Sequence, residues 1–466
     1  VLGWLRKEMN SLSKREIASL TALMCISFAI KIYLAINMPI QIDEAYTYSY
    51  FAKSGLLFSI TDYTVPNNHI LHTVLTILAI RLPFGPTLDI RLFPIIESTI
   101  CIFLFYVVCR RLLNASVSIL VTAIFSIVFA VEYYGYASRG YSLVLLFFIV
   151  CYYCVMRIVQ GQNDKKYIVT ISIASVLGLY TMPSFLYAYG TLGIFLLCLF
   201  IKRKNYNEIK RLIIFGLATL AVTFLLYTPI FVHAGFKAVF NNPFVRPAER
   251  KIVLQRLLPG FSNIYELLFG VPYVYVAVAL IIIVSLFDKN NKGIAYLNIF
   301  IALFALIIPI MHSVIAYPRS WIYIIVPIMI SLGIALNGVY SRVPFYVSLI
   351  VTTVIFAGLN IFYFERVRRF DDTFFKARDA AYKLISYKPR YVYFNTWLDG
   401  NIRYYAALEK QNFDATCTYG DFRYDLKVIG KKPFDYYVMY SDEIVKPEDS
   451  LKVVYANDVI SIYKKR

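Results

Sequence analysis

Apolar stretches recur from Ser19 to about Phe364, each close to the ~20 residues a helix needs to cross a ~30 Å hydrocarbon core. They predict spans over about 17–38, 92–109, 115–134, 138–158, 166–182, 183–201, 212–234, 268–287, 294–313, 318–338 and 343–364. A further apolar piece at 69–84 is short for a crossing and contains His72, so it is expected to be an interfacial or re-entrant helix. The pattern changes after Phe364. Residues 390–395, 434–440, 451–456 and 459–464 read as strands and 398–409 as a helix, with Asn457-Asp458 as a hairpin turn between the last two runs.

The expected fold class is an α-helical polytopic membrane protein of about eleven transmembrane helices plus interfacial helices, 1–364, followed by a small α/β extracytoplasmic domain, 365–466. Composition agrees: 59% of the 466 residues are hydrophobic, above the roughly 45–50% of soluble domains. The C-terminal segment holds 19 of the 47 Lys+Arg and 15 of the 28 Asp+Glu. Its net charge of +4 leaves most of the +19 total in the membrane part, where such an excess records insertion topology. No nucleic-acid partner is implied. Six of the seven cysteines lie in or at the ends of apolar segments and only Cys417 in the C-terminal domain, which excludes a disulfide framework or thiolate zinc site there. The opening stretch, with Arg6, Lys7, Lys14 and Arg15 before the first span, reads as a cytoplasmic flank and a retained helix.

Orientation follows from the basic clusters. With 69–84 left out as a span, Arg110–Arg111, Lys165–Lys166, Lys202–Lys204 with Lys210–Arg211, Lys289/Lys292 and Arg342 all fall on the cytoplasmic side. Counting it as a crossing reverses every one. Residues 39–91, the 132–139 and 313–318 turns, the 233–267 loop and the C-terminal domain then lie outside. The Asn-x-Ser sequon at Asn114 falls on the cytoplasmic side, so a bacterial inner membrane is expected.

Candidate chemistry clusters on the outer face. Asp43-Glu44 follows the first span and Pro39; a carboxylate at headgroup level can act as general base on an acceptor hydroxyl while a lipid tail anchors the sugar donor. The plain alternative is a solvated pair with Asp43 capping a helix. In Asn68-His69-Ile70-Leu71-His72 the two histidines share a helix face. They can contact phosphate, bind a metal with Glu44, or simply sit among headgroups. Arg139, two residues before Tyr141, and Arg319, after Pro318, stand at outer mouths of spans, where a guanidinium can hold a phosphate and stabilise it as it leaves, or anchor headgroups. Arg91 and Glu132 complete the outer charged set as acceptor or supporting groups. Lys31 and Glu97 lie deeper within spans and are not assigned.

Taken in order, Asp43-Glu44, the Pro66–His72 stretch, Arg91 with Pro94, Ser138-Arg139-Gly140-Tyr141 and Arg319 followed by Pro327 resemble the polytopic GT-C glycosyltransferases, in particular the branch related to protein O-mannosyltransferases and the lipid A aminoarabinose transferase. The resemblance implies that Asp43 is the catalytic base with Glu44 assisting. It also implies an Arg-x-Tyr near Arg139 and donor-phosphate contact by an arginine near Arg319; the expected phosphate set is Arg139, Arg319, His69 and His72. Relatives carry Glu or Gln close before the Arg-x-Tyr, whereas Ala137-Ser138 stand here, and many carry His-Pro where Ile70 follows His69. The expected reaction moves a sugar from a polyprenyl-phosphate donor to an acceptor hydroxyl with inversion, in modification of a cell-envelope glycan or glycolipid. No cofactor is required and a divalent metal is optional. Two other readings stay open: a lipid-linked-oligosaccharide flippase, and an O-antigen-type polymerase. Transporters place polar groups near mid-bilayer and often have internal repeats; here the polar groups sit at span ends and no convincing repeat is seen.

Overall fold

The computed structural model describes residues 8–63, 66–162, 165–241, 247–314, 316–340, 343–417, 434–442 and 451–465. Arg342 and parts of the 233–267 loop lie outside the described residues. In chain order the helices are α1 (Lys14–Asn37), α2 (Ile42–Tyr46), α3 (Leu56–Thr61), α4 (Ile70–Ala79), α5 (Pro86–Leu112), α6 (Ala115–Ile127), α7 (Phe129–Tyr133), α8 (Tyr141–Val159), α9 (Lys165–Thr181) and α10 (Phe185–Lys202). They continue with α11 (Tyr206–His233), α12 (Phe236–Phe240), α13 (Arg250–Phe269), α14 (Val274–Ser285), α15 (Lys292–His312), α16 (Ile325–Tyr340, entered through a 3-10 turn at Pro318–Ile324) and α17 (Phe345–Phe370).

The start of α1 shows why the chain turns helical where it does. The Ser13 hydroxyl accepts from the Glu16 amide and the Glu16 carboxylate accepts from the Ser13 amide, a reciprocal cap for two orphan donors. Glu16 also accepts from Arg110 at 2.5 Å and from the Tyr106 hydroxyl at 3.0 Å. The first turn of α1 is thereby pinned to the last turns of the antiparallel α5.

Each of the eleven expected spans meets a helix. Among the described residues, eight helices are long and apolar enough to cross a membrane by length and composition, or nine if α13 and α14, bent by 85° at their junction, act as one. The protein is multi-pass. Two expected spans give shorter helices than anticipated: 268–287 yields the 12-residue α14, and the 115–134 stretch breaks at Val128, whose backbone is extended, into the 13-residue α6 and the short α7. The 268–287 span is likewise entered by a long helix, α13, where the sequence suggested open loop. α4, ten residues and about 15 Å long, is too short to cross. Of the long helices, α5, α8 and the 318–338 span have 67%, 83% and 72% of their apolar stretch buried, against 28% for α1, 17% for α11 and 11% for α17. The former make the inner core and the latter keep apolar side chains outward, as a lipid solvent permits.

Beyond α17 come α18 (Asp372–Ser386), β1 (Tyr391–Asn395), α19 (Asp399–Leu408), β2 (Asp414–Cys417), β3 (Tyr436–Tyr440), β4 (Leu451–Ala456) and β5 (Ile460–Lys465). They form one sheet of order β2-β1-β3-β5-β4. β1 runs parallel to β2 and β3, while β5 is antiparallel to β3 and β4. The four expected strands and the 398–409 helix are present; β2 was not foreseen. At the hairpin the Asn457 side chain accepts from the amides of Val459 and Ile460 at 3.0 and 2.8 Å, the local bond that favours Asn in turns.

This domain sits on the end of the bundle that carries the first loop. Ile40, Ala45, Tyr48 and Ile90 are buried in one apolar cluster with Ala380, Leu384, Val392, Tyr404 and Ile462. The Ile40 amide donates to the Tyr405 hydroxyl at 2.9 Å, the Ile40 carbonyl accepts from Asn401 at 2.6 Å, and Thr87 and Tyr404 share a hydroxyl bond of 2.9 Å. Tyr405→Phe strands the buried Ile40 amide and is expected to cost about 1–3 kcal/mol, read as a lower thermal midpoint of the full-length protein in detergent.

Candidate active site

The site begins where α1 ends. The last carbonyls of a helix lack intrahelical donors, and here Arg91 of α5 supplies them: its Nη1 donates to the carbonyls of Ala35 and Met38, each at 2.9 Å, and Nη2 to Pro39 at 2.8 Å. The remaining edge of the same guanidinium binds Glu44 bidentately, Nε to Oε1 at 2.9 Å and Nη2 to Oε2 at 2.6 Å. Glu44 also accepts from the amides of Gln41 at 3.0 Å and Ser138 at 2.6 Å. Both side chains are fully buried. Glu44 therefore faces Arg91 inside the protein, and its oxygens are committed there.

Asp43, one residue earlier on α2, points the other way. Its carboxylate is 27% exposed and lines a cavity of about 500 Å³. Oδ2 stands 3.2 Å from Arg319 Nη1 and 3.8 Å from Arg139 Nη2. Consecutive positions of a helix are about 100° apart, so the sequence pair divides into a buried anchor and a cavity-facing carboxylate. The sequence treats them as one motif; the fold separates them.

Arg139 is held by its surroundings. Nη1 donates to the Thr47 hydroxyl at 3.1 Å and the Asn67 carbonyl at 3.1 Å, and Nη2 lies 3.2 Å from His69 Nε2. The Gly140 amide donates to His69 Nδ1 at 2.9 Å, so that nitrogen is the unprotonated one. Burial, reinforced by the charges of Arg139 and His72, holds His69 well below its usual pKa. The ring is therefore neutral with its hydrogen on Nε2. That hydrogen and the Arg139 Nη2 are both donors, a pair suited to one anionic oxygen that accepts from both.

The other sequence candidates are placed as follows. Tyr141 lines the cavity with its ring edge on His69, centroids 5.1 Å apart. Asn68 donates to the Ser59 and Asp62 carbonyls at 2.8 and 2.9 Å and accepts from Thr73; it braces the loop and does not line the cavity. His72 bonds Ser138 and Thr76 and is also buried away from the cavity; burial, with Arg139 nearby, pulls its pKa down to about 3. Glu132 is buried in α7 outside the cavity lining. Glu44, His69 and His72 do not converge as the metal set envisaged from sequence. Among the described residues no three or more His, Cys, Asp or Glu side chains are arranged to hold a metal.

The cavity also recruits residues that sequence reading passed over. Asn67 donates to the Asp43 carbonyl at 3.1 Å, and His312, at the end of α15, bonds the Tyr187 hydroxyl at 3.0 Å. His312 had a readable signal: it is one of only four histidines and ends a predicted span. Away from this polar end the walls are apolar, with Leu179, Met182, Leu220, Phe224, Phe231 and Phe240. One compartment thus joins a charged end to an oily trough.

Two predictions follow from the burial pattern. Arg91→Met leaves Glu44 buried and unpaired, which is expected to destabilise the protein by about 3–5 kcal/mol and to lower its thermal midpoint in detergent. His69 and His72 refuse protons that the unfolded chain accepts, so their contribution is complete well above pH 6.5 and declines as pH falls below it. At pH 5.5 the loss is about 1.4 kcal/mol per histidine, measured as a midpoint that falls with acidification less in His72→Asn than in wild type.

No family model and no curated protein matches the chain. Solved structures do. The aminoarabinose transferase ArnT from Cupriavidus metallidurans matches in its apo state with TM-score 0.61 and 12% identity, over 95% of this chain and 97% of that one. Its form bound to undecaprenyl phosphate matches with TM-score 0.62 and 11% identity, over 97% and 98%. The archaeal oligosaccharyltransferase AglB from Archaeoglobus fulgidus, in complex with an inhibitory peptide and a dolichol-phosphate, matches with TM-score 0.55 and 12% identity, over 92% and 69%. The chain therefore shares the fold of these two membrane proteins, as the resemblance led one to expect.

Proposed function

We propose that the protein transfers a sugar from a polyprenyl-phosphate donor to an acceptor hydroxyl at the outer face of a bacterial inner membrane, modifying a cell-envelope glycan or glycolipid. The observation that carries this reading is Asp43: a part-exposed carboxylate flanked by Arg319 and Arg139 at the charged end of an otherwise apolar cavity. A lipid phosphate has the same division, an anionic head on a hydrocarbon tail. Lipid phosphates occupy two of the structures that share the fold, which supports this donor class. The outer location rests on the basic clusters, which fall at the opposite ends of the helices from Asp43.

In this reading the donor phosphate takes over Arg319 and the Arg139–His69 donor pair, relieving Asp43 of its ion pairs. Asp43 then accepts the proton of the acceptor hydroxyl as its oxygen attacks the anomeric carbon. The bond from that carbon to the phosphate oxygen breaks, and the lipid phosphate leaves with the electron pair. Attack opposite the leaving group inverts the anomeric configuration. The arginines stabilise the charge that grows on the departing phosphate, while His69, neutral, donates a hydrogen bond from Nε2 without giving up its proton.

Asp43→Asn, matched to wild type for expression and insertion, is expected to lower sugar transfer from a polyprenyl-phosphate donor about 10²–10⁴-fold. Wild-type rates in that variant would remove Asp43 from the chemistry, whereas no transfer by the wild-type protein with any supplied donor would favour transport without transfer. Arg319→Lys keeps the charge but loses the planar fork, and is expected to reduce transfer by about tenfold or more in the same membranes.

A further inference from the structure

Asp371, the residue between α17 and α18, was not singled out in the sequence, yet its side chain is among the most completely buried carboxylates in the protein. Oδ1 accepts from Gln41 Nε2 at 3.1 Å and from the Tyr133 hydroxyl at 2.7 Å, and Oδ2 from the Tyr136 hydroxyl at 3.2 Å. Gln41 leads directly into α2 and Asp43; Tyr133 and Tyr136 belong to α7 and the turn that ends at Arg139. The Tyr136 ring in turn lies under the Arg91 guanidinium, 5.4 Å from its centroid. On its other side Asp371 opens α18, its carbonyl accepting from the amides of Phe374 and Phe375.

We propose that Asp371 is a positioning residue for the transfer reaction: its carboxylate ties the first helix of the C-terminal domain to both segments that present Asp43 and Arg139, and the charged form holds them in register. The inference rests on the functional reading of Asp43 given above. Three donors converge on one carboxylate, and each donor comes from a segment that carries, or leads to, a cavity residue. Purely structural bracing of the domain does not need this convergence, because Tyr405 and Asn401 already latch it to Ile40.

The groups facing Asp371 are the phenols Tyr133 and Tyr136, Arg91 from α5 and Glu44 from α2, the last two being paired with each other; its neighbour Asp372 bonds Lys376 instead. Burial pushes the Asp371 pKa up to about 7, against the opposing pull of the Tyr133 bond and the Arg91 charge. Protonation of Oδ2 places an O–H where the Tyr136 hydroxyl donates and removes the charge that all three donors address. The charged, three-donor arrangement therefore belongs to the pH range above the raised value, and the neutral acid takes its place as pH falls through it.

The test uses the full-length protein in proteoliposomes with a polyprenyl-phosphate sugar, assayed between pH 6 and pH 8.5 for wild type, Asp371→Asn, Tyr136→Phe and Asp43→Asn. Asp371→Asn keeps the size and an acceptor oxygen while removing the charge. The expected result is a fall in kcat of about tenfold to a hundredfold at pH 8, with the KM for the donor little changed. Wild-type kcat declines as pH drops through about 7, whereas Asp371→Asn is flat across that range. Should Asp371→Asn fail to insert, Tyr136→Phe is expected to lower kcat with little change in KM and to move the pH midpoint of kcat upward, because the lost bond favours the charged form of Asp371; a wild-type kcat and midpoint there overturn the inference. A wild-type kcat and a wild-type pH profile in the inserted variant overturn the inference. If Asp43→Asn transfers normally, or wild type transfers nothing, the functional reading fails and this one with it; a dead Asp43→Asn beside an unaltered Asp371→Asn sinks only the positioning role.

Discussion

The bidentate pair of Arg91 and Glu44 is the constraint on which the rest of the site depends. Two charges taken out of water cost several kcal/mol each unless every donor and acceptor is satisfied. Here the satisfaction is nearly complete, because one guanidinium serves the carbonyls of Ala35, Met38 and Pro39 as well as the carboxylate, and the carboxylate serves the amides of Gln41 and Ser138. The pair therefore closes the end of α1, sets the start of α2 and fixes the turn before Arg139 in one stroke. A shift of any of the three segments would leave an orphaned charge.

From that anchor the cavity follows. Because Glu44 is held inward, Asp43 must face away from it, and because Ser138 is bonded to Glu44, Arg139 arrives beside Asp43. Arg319 comes from a distant part of the chain, delivered by the 3-10 turn that opens its span. The mixed lining of the cavity is a consequence of where these turns sit. They lie at helix ends, where polar groups meet the headgroup region, while the adjoining helix flanks remain apolar for lipid.

The same bonding logic couples the two parts of the molecule. α2 is packed between the membrane helices and α19, and the apolar cluster there contains residues of both parts. The C-terminal domain is thus a wall of the region that holds the turn carrying Asp43 in place. Its sheet builds a parallel trio, β2-β1-β3, from a crossover through α19, then adds an antiparallel hairpin at the edge. That crossover helix is what meets α2 through Ile40.

Hydropathy and charge placement made much of this legible in advance. Span positions, the short α4, the C-terminal strands and the clustering of Asp43, His69, Arg139 and Arg319 near helix ends all follow from local rules, since a helix in lipid satisfies its own backbone and only its length and composition matter. What the sequence could not convey was partnership. The roles of Asp43 and Glu44 differ only because α2 turns one toward Arg91 and the other toward the cavity, a choice made by residues 47 positions away. The break at Val128, the 85° bend between α13 and α14, and the burial of Asp371 depend likewise on what packs against them. Periodicity along a chain reports which face a residue occupies; only the assembled fold decides what that face meets.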